Sequence, residues 1–231
     1  MGFALMQYFK HQLEKPLQVR TTHTYFDEYE MAYFFRNVEE MPQIEQEALL
    51  HAKGRVLDVG AGTGIHSLAL QRNGLSVKAI DISPYSVEIM NNRGVEEVQQ
   101  QDFYKMGAEP FDTILFLMNG IGLVEKLDKF EMFFEKCREL LKPGGQILCD
   151  SSDIIYLFEE EDGSFLIDLN ADYYGEVDFF IEYDGQVQKP FPWLFVDFDH
   201  LKFYAEQNGF KAEMLVAGPH YDYLAKLTIK D

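Results

Sequence analysis

Three glycines and two aspartates carry the clearest chemical signal in this chain. The stretch "VLDVGAGTG" places Gly60, Gly62 and Gly64 directly after apolar, strand-forming residues, and a helix-forming pattern follows. Glycine is needed where the backbone turns with positive φ, or where a Cβ would collide with a bound ligand. A glycine-rich turn between a strand and a helix therefore predicts a site for a nucleotide-like ligand.

The aspartates indicate which parts such a ligand has. Asp81 ends the next predicted strand, about 20 residues after Gly60, where a carboxylate can accept hydrogen bonds from a ribose diol. Asp102 follows the third predicted strand, where it could meet an adenine edge. The spacing GxGxG departs from the dinucleotide fingerprint GxGxxG, and no lysine follows as in a phosphate-binding loop. The sequence thus predicts a ligand with ribose and adenine but without a pyrophosphate.

A parallel sheet is needed to bring these residues together. Strand-like and helix-like segments alternate from Arg55 to about Asp150, with Ser83 and Pro84 as the N-cap and first residue of one helix. This alternation predicts an α/β fold with a doubly wound, mostly parallel, Rossmann-like sheet of seven strands. In such a sheet the loops after the strands line the ligand crevice. Two roles remain open here, Asp81 as a helix cap and the glycines as a ligand-free turn.

Two segments lie outside the alternation. Residues 1–54 are predicted to form an N-terminal helical cap, with one helix over "TYFDEYEMAYFFRNVEEM", where aromatic residues recur at helical spacing. Residues 170–196 are predicted to form a β-hairpin insertion after the fifth strand. Residues 55–231 then make up the main domain, and we treat the whole chain as a single domain.

Composition and charge narrow the function classes. Lys and Arg total 20 and Asp and Glu total 39, a net charge of −19, so we expect neither a nucleic acid nor a membrane as partner. Cys137 and Cys149 are expected to be reduced core thiols, and no metal site is predicted. The apolar runs and the N-terminus lack the patterns of a membrane span or signal peptide. We therefore expect a cytoplasmic protein, either a monomer or a homodimer.

Five stretches in order resemble the class I S-adenosylmethionine-dependent methyltransferases. They are "VLDVGAGTG", "AIDISP", "QQDFYKM", "FDTILFLMNGIGL" and "LKPGGQIL", over roughly residues 55–150. The resemblance implies S-adenosylmethionine as cofactor and S-adenosylhomocysteine as product. The cofactor-binding residues that it implies are Asp58, Gly60, Ala61, Gly62, Gly64, Asp81, Ile82, Asp102, Phe103, Met118 and Asn119.

The resemblance also implies a role for each part of this set. The glycines would approach the methionine moiety, and Asp58 would support the loop or the amino group. Asp81 would hold the ribose hydroxyls, while Asp102 would face the adenine amino group with Phe103 beside the ring. Met118 and Asn119 would lie near the sulfonium.

The acceptor is less well defined by the sequence. The stretch "LMNGIG" after the fourth strand lacks the prolines typical of members that methylate nucleobases or amides, which favours a small-molecule acceptor. The predicted acceptor-binding residues are Tyr25, Tyr33, Arg36, Asn119, Asp150 and Asp153. No catalytic base is identified, although His200 and His220 are candidates, and His66 is interpreted as structural. The alternative function is a non-catalytic protein of the same fold that binds S-adenosylmethionine or S-adenosylhomocysteine.

We expect the hairpin to lie over the carboxyl ends of the fourth and fifth strands as an acceptor lid, together with Tyr25, Tyr33 and Arg36. Alternation along its first strand predicts a packing face and an opposite, acidic face that meets the acceptor. The packing face would carry Val177, Phe179, Ile181 and Tyr183, and the acidic face Glu176, Asp178, Phe180 and Glu182. A dimer contact or a decoration on the far side is the alternative.

Overall fold

A seven-stranded sheet forms the centre of the molecule. The computed structural model describes residues 1–13, 15–168 and 170–230. The strands of this sheet are β3 (Arg55–Val59), β4 (Ser76–Asp81), β5 (Glu97–Gln100), β6 (Phe111–Phe116), β7 (Leu141–Ser152), β11 (Phe210–Ala217) and β12 (Asp222–Ile229). Their spatial order is β11-β12-β7-β6-β3-β4-β5. Strands β3 to β7 pair in parallel, and β12 and β11 close the sheet antiparallel. The predicted doubly wound fold is confirmed.

Helices cover both faces of this sheet. They are α2 (Gln43–His51), α3 (Ile65–Arg72), α4 (Pro84–Arg93), α5 (Phe130–Leu140) and α6 (Phe198–Gln207), preceded by α1 (Gly2–His11). Helices α2 and α3 pack on one face, and α5 and α6 pack on the other. The α4 helix begins as predicted, with the Ser83 hydroxyl accepting from Ser86 N–H and Pro84 in the first turn.

The strand sequences explain why both faces are covered. In β3, Val56 packs toward α2 and α3, whereas its neighbour Leu57 packs toward α5. In β6, Leu115 and Ile114 divide in the same way. Because successive side chains point to opposite faces, a strand covered on both faces is apolar throughout. A ligand at the carboxyl ends of the strands, where the sequence predicts the site, would therefore contact the loops that follow the strands.

A smaller antiparallel sheet lies beside the central one. It contains β1 (Leu17–Thr21), β2 (Asp27–Tyr29), β8 (Glu176–Tyr183), β9 (Gln186–Val187) and β10 (Phe191–Leu194). Its order is β10-β8-β1-β2, with β9 also paired to β8. The predicted hairpin after the fifth parallel strand, β7, is confirmed. Its tight turn is made by Asp184 and Gly185, both at positive φ, as two-residue hairpin turns require.

The predicted helix over residues 24–41 is wrong. That segment contains β2 and two short 3₁₀ helices, Met31–Phe35 and Val38–Glu40. The aromatic residues there do not share one face, since the Tyr25 side chain is 96% exposed. β1 pairs with β8, Val19 opposite Ile181, and β2 pairs with β1. Partners distant in sequence thus decide the conformation, which local periodicity cannot report.

In the described ranges, no helix is both long and apolar enough to cross a membrane.

The contact between β10 and the loop after β6 yields a stability prediction. Gly122 lies in a short 3₁₀ helix, Gly120–Val124, and a Cβ there would approach Trp193 Nε1 to 2.0 Å. We expect Gly122→Ala to lower the free energy of unfolding by about 1–3 kcal/mol, because the indole must move. Urea denaturation measures the change. Gly107→Ala, which meets open space, is the control, and equal effects of the two substitutions would contradict the packing described.

Candidate functional site

The glycine turn leaves bare backbone at the end of β3. Gly60 and Ala61 donate their N–H groups to the Ile80 carbonyl oxygen, at 2.9 and 3.1 Å. Gly60, Gly62 and Gly64 all have positive φ. A Cβ built on Gly60 or Gly62 meets nothing closer than 3.9 Å, so these two positions face open space that a ligand can approach.

Gly64 has a different reason to be glycine. A Cβ there would lie 2.8 Å from the Val95 side chain and 3.0 Å from that of Met90. Gly64 therefore lets α3 begin close to α4, while Gly60 and Gly62 form the ligand-facing part of the turn. Of the three glycines in the turn, Gly64 is required by packing, whereas Gly60 and Gly62 leave room for a ligand.

Asp58 supports this turn from beneath. Its carboxylate accepts from the Ser67 hydroxyl on α3 at 2.5 Å, and both residues are buried. Burial raises the pKa of Asp58, against the opposing effects of His66 and of the Ser67 hydrogen bonds. Asp58 thus ties β3 to α3, which agrees with the loop-supporting role among its two predicted ones.

Asp81 presents a carboxylate at the end of β4. Its two oxygens accept from the N–H groups of Gly62 (2.9 Å) and Ser83 (2.8 Å). Burial raises its pKa, and these two backbone donors oppose the rise. The carboxylate thus links the glycine turn to the start of α4, which agrees with the capping alternative, while its contact with a ribose stays a prediction. Ile82, next in the chain, is exposed at the same edge.

The neighbouring residues Asp102 and Phe103 have side chains in different surroundings. Asp102 caps a short 3₁₀ helix, accepting from Tyr104 N–H at 3.0 Å, and its hydrogen bond with Lys105 lowers its pKa. Phe103 lies in the core, with its ring centroid 5.2 Å from that of Phe116. Asp102 is partly exposed at the edge of the sheet, whereas Phe103, predicted to lie beside an adenine ring, is buried in the core.

The exit of β6 is held in an unusual conformation. Met118 and Asn119 both have left-handed backbone angles, φ 60° and 56°. Non-glycine residues seldom adopt this region, and such strain persists where surrounding contacts enforce it. Here the Asn119 N–H donates to Asp150 Oδ1 at 2.9 Å, and the Ser151 hydroxyl donates to Asn119 Oδ1 at 2.9 Å. The predicted residues Asn119 and Asp150 are thus in direct contact.

The hairpin contacts the exit of β6 through its second long strand, β10. Trp193 of β10 donates its indole N–H to the Asn119 carbonyl oxygen at 3.1 Å, and Asn119 Nδ2 approaches the Leu194 oxygen at 3.4 Å. Val196 N–H donates to the Ser151 hydroxyl at 3.0 Å. The hairpin therefore lies at the carboxyl ends of β6 and β7, the fourth and fifth parallel strands. Its role as a lid remains a proposal.

The predicted acidic face of the hairpin has mixed surroundings, and its first residue, Glu176, accepts from Leu127 N–H at 3.0 Å. Ile181 and Tyr183 of the opposite face are buried in the cluster that includes α1. On the acidic face Asp178 is exposed, and Phe180 lies under the Arg20 guanidinium at 3.6 Å. The face is therefore divided, with Glu176 held at the loop after β6 and Asp178 exposed, and its contact with the acceptor stays a prediction.

A buried charge network that the sequence did not predict lies near Asp150. Glu45 of α2 accepts from Arg36 at 2.5 and 2.6 Å and lies 2.6 Å from His66 Nε2. Burial would raise the pKa of Glu45, but His66 and Arg36 outweigh it and hold that pKa below its ordinary value. The available signal was an acid on the apolar stripe of α2, between Ile44 and Ala48.

Asp150 itself has an altered acidity. Burial raises the pKa of its carboxyl to about 7, and the neighbouring Glu45 adds to the rise. The Asn119 N–H and His66 act in the opposite direction. A carboxyl that titrates near neutral pH beside the predicted reaction centre is a candidate for binding a proton during the reaction.

The other predicted acceptor residues are distributed unevenly. The Arg36 guanidinium stacks 3.8 Å from the Tyr33 ring centre, and Asp150 is close enough to influence the pKa of Tyr33. Asp153, further along the exit of β7, accepts from the Tyr174 hydroxyl at 2.7 Å. Tyr25 stands apart, because a side chain 96% exposed cannot line a pocket.

The candidate bases do not join Asp150. His200 lies 2.6 Å from Asp197, the N-cap residue of α6. His220 is exposed, and its backbone N–H donates to Asp222. Within residues 1–13, 15–168 and 170–230, no group of three or more His, Cys, Asp or Glu side chains is arranged to hold a metal ion.

Comparison with known proteins decides the family. A family model described as a methyltransferase domain matches residues 26–211. A crystal structure of an S-adenosylmethionine-dependent methyltransferase from Bacteroides fragilis, in complex with S-adenosyl-L-homocysteine, is 48% identical with a TM-score of 0.92. It covers 100% of this chain and 94% of that one. This chain belongs to the S-adenosylmethionine-dependent methyltransferase family.

More distant relatives agree with this methyltransferase fold. The CcbJ methyltransferase from Streptomyces caelestis has a TM-score of 0.62 at 15% identity, over 85% of this chain and 93% of that one. The ubiquinone biosynthesis O-methyltransferase of Xylella fastidiosa (strain 9a5c) is 35% identical over 101 residues, 40% of this chain and 39% of that protein. The methyltransferase thus spans about two fifths of the length of the curated relatives it matches.

The position of Asp81 yields a binding prediction. We expect Asp81→Ala to weaken S-adenosylmethionine binding by about 1.5–3 kcal/mol, since the ribose loses a charged acceptor and Gly62 loses its restraint. Isothermal titration calorimetry measures the loss. Asp199→Ala, an exposed aspartate on α6, is the control. Unchanged affinity in Asp81→Ala would show that another residue holds the ribose.

The acidity of Asp150 yields a stability prediction. Its folded-state pKa is raised, so the native state binds the proton more tightly, and stability falls as pH rises from about 4 to about 7. Asp150→Asn removes this dependence, and we expect it to stabilise the protein by about 1–3 kcal/mol at pH 8 but little at pH 4. Thermal unfolding across this pH range checks it.

Asp112 is the control for this prediction. Its hydrogen bond to Lys142 lowers the pKa of Asp112, so Asp112→Asn is expected to destabilise the protein at neutral pH. An Asp150→Asn variant that is less stable than the wild type at pH 8 would contradict the acidity assigned to Asp150.

Proposed function

We propose that this methyltransferase transfers a methyl group from S-adenosylmethionine to a small molecule bound between the exits of β6 and β7 and the smaller sheet. The observation that carries the proposal is the contact of Trp193 with Asn119, which brings the hairpin directly over the strand ends. An acceptor there would be covered by protein. Enclosure of this kind suits a small ligand better than a polymer.

The chain's own residues fit the cofactor. Gly60 and Gly62 leave room for close approach at positive φ, and Asp81 offers carboxylate oxygens to the ribose hydroxyls. The partly exposed Asp102 and the exposed Ile82 are compatible with an adenine bound at this edge. When bound, S-adenosylmethionine supplies a methyl group on a sulfonium, which is a good leaving group. Positioning of the acceptor by the residues around Asn119 can therefore supply much of the rate.

The charge of the protein supports the same acceptor class. A net charge of −19 opposes the phosphate contacts on which nucleic-acid binding depends. The name of the ubiquinone biosynthesis O-methyltransferases also supports a small acceptor. Because that match covers 39% of the relative, it supports the class of acceptor and leaves the methylated atom open.

Release of S-adenosylhomocysteine tests the proposal. We expect the protein to form it from S-adenosylmethionine when given the low-molecular-weight fraction of a cell extract, and not when given duplex DNA, tRNA or unfolded protein. Mass spectrometry measures the product. Asp81→Ala should abolish the signal at low cofactor concentration, and Asp199→Ala should leave it intact. Product formed only with nucleic acid or protein would overturn the small-molecule proposal, and product from no fraction would favour a non-catalytic binding protein.

A further inference from the structure

The inner face of the smaller sheet is packed at both ends and partly open between them. At one end Ile181 and Tyr183 are buried against α1, which in turn packs on α4. At the other end Trp193 rests on Asn119 and Gly122. We call this sheet face the roof.

Four half-buried aromatic residues form the middle of the roof and its end over β6. The Phe179 ring stacks with those of Phe191 and Phe195, at centroid distances of 5.7 and 5.9 Å, and meets Trp193 edge-on at 6.3 Å. None of the four is fully buried. The roof therefore keeps partly exposed aromatic surface, and Trp193 connects it to the exit of β6.

Beneath the roof, Asp150 has one free oxygen. Its Oδ1 accepts from Asn119 N–H. In the part of the chain that the structure describes, Oδ2 accepts no hydrogen bond, and it is not among the fully buried polar atoms. This oxygen thus keeps some exposed surface within a largely buried carboxyl, next to the residue that the family resemblance places near the reacting sulfur.

The neighbouring cationic side chains are already occupied. Arg36 and His66 both bind Glu45, and Arg36 also donates to the Tyr33 carbonyl oxygen at 2.5 Å. Asp150 is faced by Glu45 from α2, His66 from α3, Tyr33 from the N-terminal segment and Tyr223 from β12. The positive charge of Arg36 is paired with Glu45, and among the described residues no Lys or Arg side chain forms an ion pair with the Asp150 carboxylate.

We propose that the methyl acceptor is an amine, that it binds as an ammonium between the aromatic roof and Asp150, and that Asp150 is the catalytic residue that takes its proton. This rests on the proposed function. An ammonium is attracted both by aromatic faces and by a carboxylate. A phenolate or carboxylate acceptor would instead meet the uncompensated charge of Asp150.

The reaction then balances without another reactant. The ammonium R–NH₃⁺ gives a proton to Asp150 Oδ2, which becomes a neutral carboxylic acid. The freed nitrogen lone pair forms the N–CH₃ bond while the S–CH₃ bond breaks, and that electron pair stays on sulfur. The products are the N-methylated ammonium ion R–NH₂⁺–CH₃ and S-adenosylhomocysteine, and Asp150 later returns its proton to water. Titration of Asp150 near pH 7 suits a group that gains and loses a proton in each turnover.

Calorimetry on the protein saturated with S-adenosylhomocysteine tests the inference without requiring turnover. The probes are three matched pairs: tyramine and tyrosol, benzylamine and benzyl alcohol, cyclohexylamine and cyclohexanol. At about pH 8 the amines are largely ammonium ions and Asp150 is ionised. We expect at least one amine to bind about tenfold or more tightly than its alcohol.

Two variants locate the effect. Asp150→Asn keeps an oxygen for the Asn119 N–H, so it should bind S-adenosylhomocysteine as the wild type does but lose the preference for the amine. Asp178→Asn makes the same charge change on the exposed outer face of β8 and should keep the preference. With the preferred amine as substrate, the rate at which its N-methylated product forms should rise with pH through about 7 in the wild type. The kcat should fall about tenfold or more in Asp150→Asn.

Several outcomes would overturn the inference. They are no preference for any of the three amines, a preference that Asp150→Asn retains, and equal losses in Asp150→Asn and Asp178→Asn. Failure of the proposed function is distinguishable, because a protein that cannot bind S-adenosylhomocysteine loses the cofactor assignment itself. A protein that binds it but prefers alcohols loses only the amine acceptor.

Discussion

The site depends on one hydrogen bond, from the backbone N–H of Asn119 to the carboxylate of Asp150. Met118 and Asn119 leave β6 with two successive left-handed residues, a conformation that costs free energy in any L-residue other than glycine. The Asp150 carboxylate and the Ser151 hydroxyl both hold that turn from β7, each through a hydrogen bond with Asn119. The Asn119 carbonyl oxygen also accepts a hydrogen bond from Trp193, and Asn119 Nδ2 approaches the Leu194 oxygen. The turn at Asn119 therefore also helps to position the roof.

Burial of Asp150 is costly, and the network beside it limits that cost. Arg36 pairs with Glu45 and His66 lies in hydrogen-bond contact with it, so that α2 and α3 can bring an acid close to a second acid. Without them two carboxylates would repel each other in a poorly solvated place. Near the strand ends Glu45 thus has an ion-pair partner in Arg36, whereas Asp150 forms no ion pair with a Lys or Arg of the described residues.

The parts of the fold that could be predicted from the sequence have local causes. Gly60, Ser83 and the apolar run of β6 each carry their reason within a few residues. The strand near Val19 could not be predicted, because its partner Ile181 is supplied from the far end of the chain. In the site, Asp81 and Asp150 were predictable as strand-end acids. Glu45 was not, since its meaning depends on Arg36 and His66, which reach it only after folding.

The smaller sheet joins segments that are far apart in the chain, as the hydrogen bond between Thr22 and Asp178 shows, 156 positions apart. Closing so long a loop in an unfolded chain is entropically expensive, and it becomes much cheaper once the parallel sheet has drawn the segments together. The smaller sheet therefore depends on the central sheet, which brings its distant segments together. A substitution that weakens the central sheet would also weaken the smaller one, even where it leaves every hydrogen bond of the smaller sheet in place.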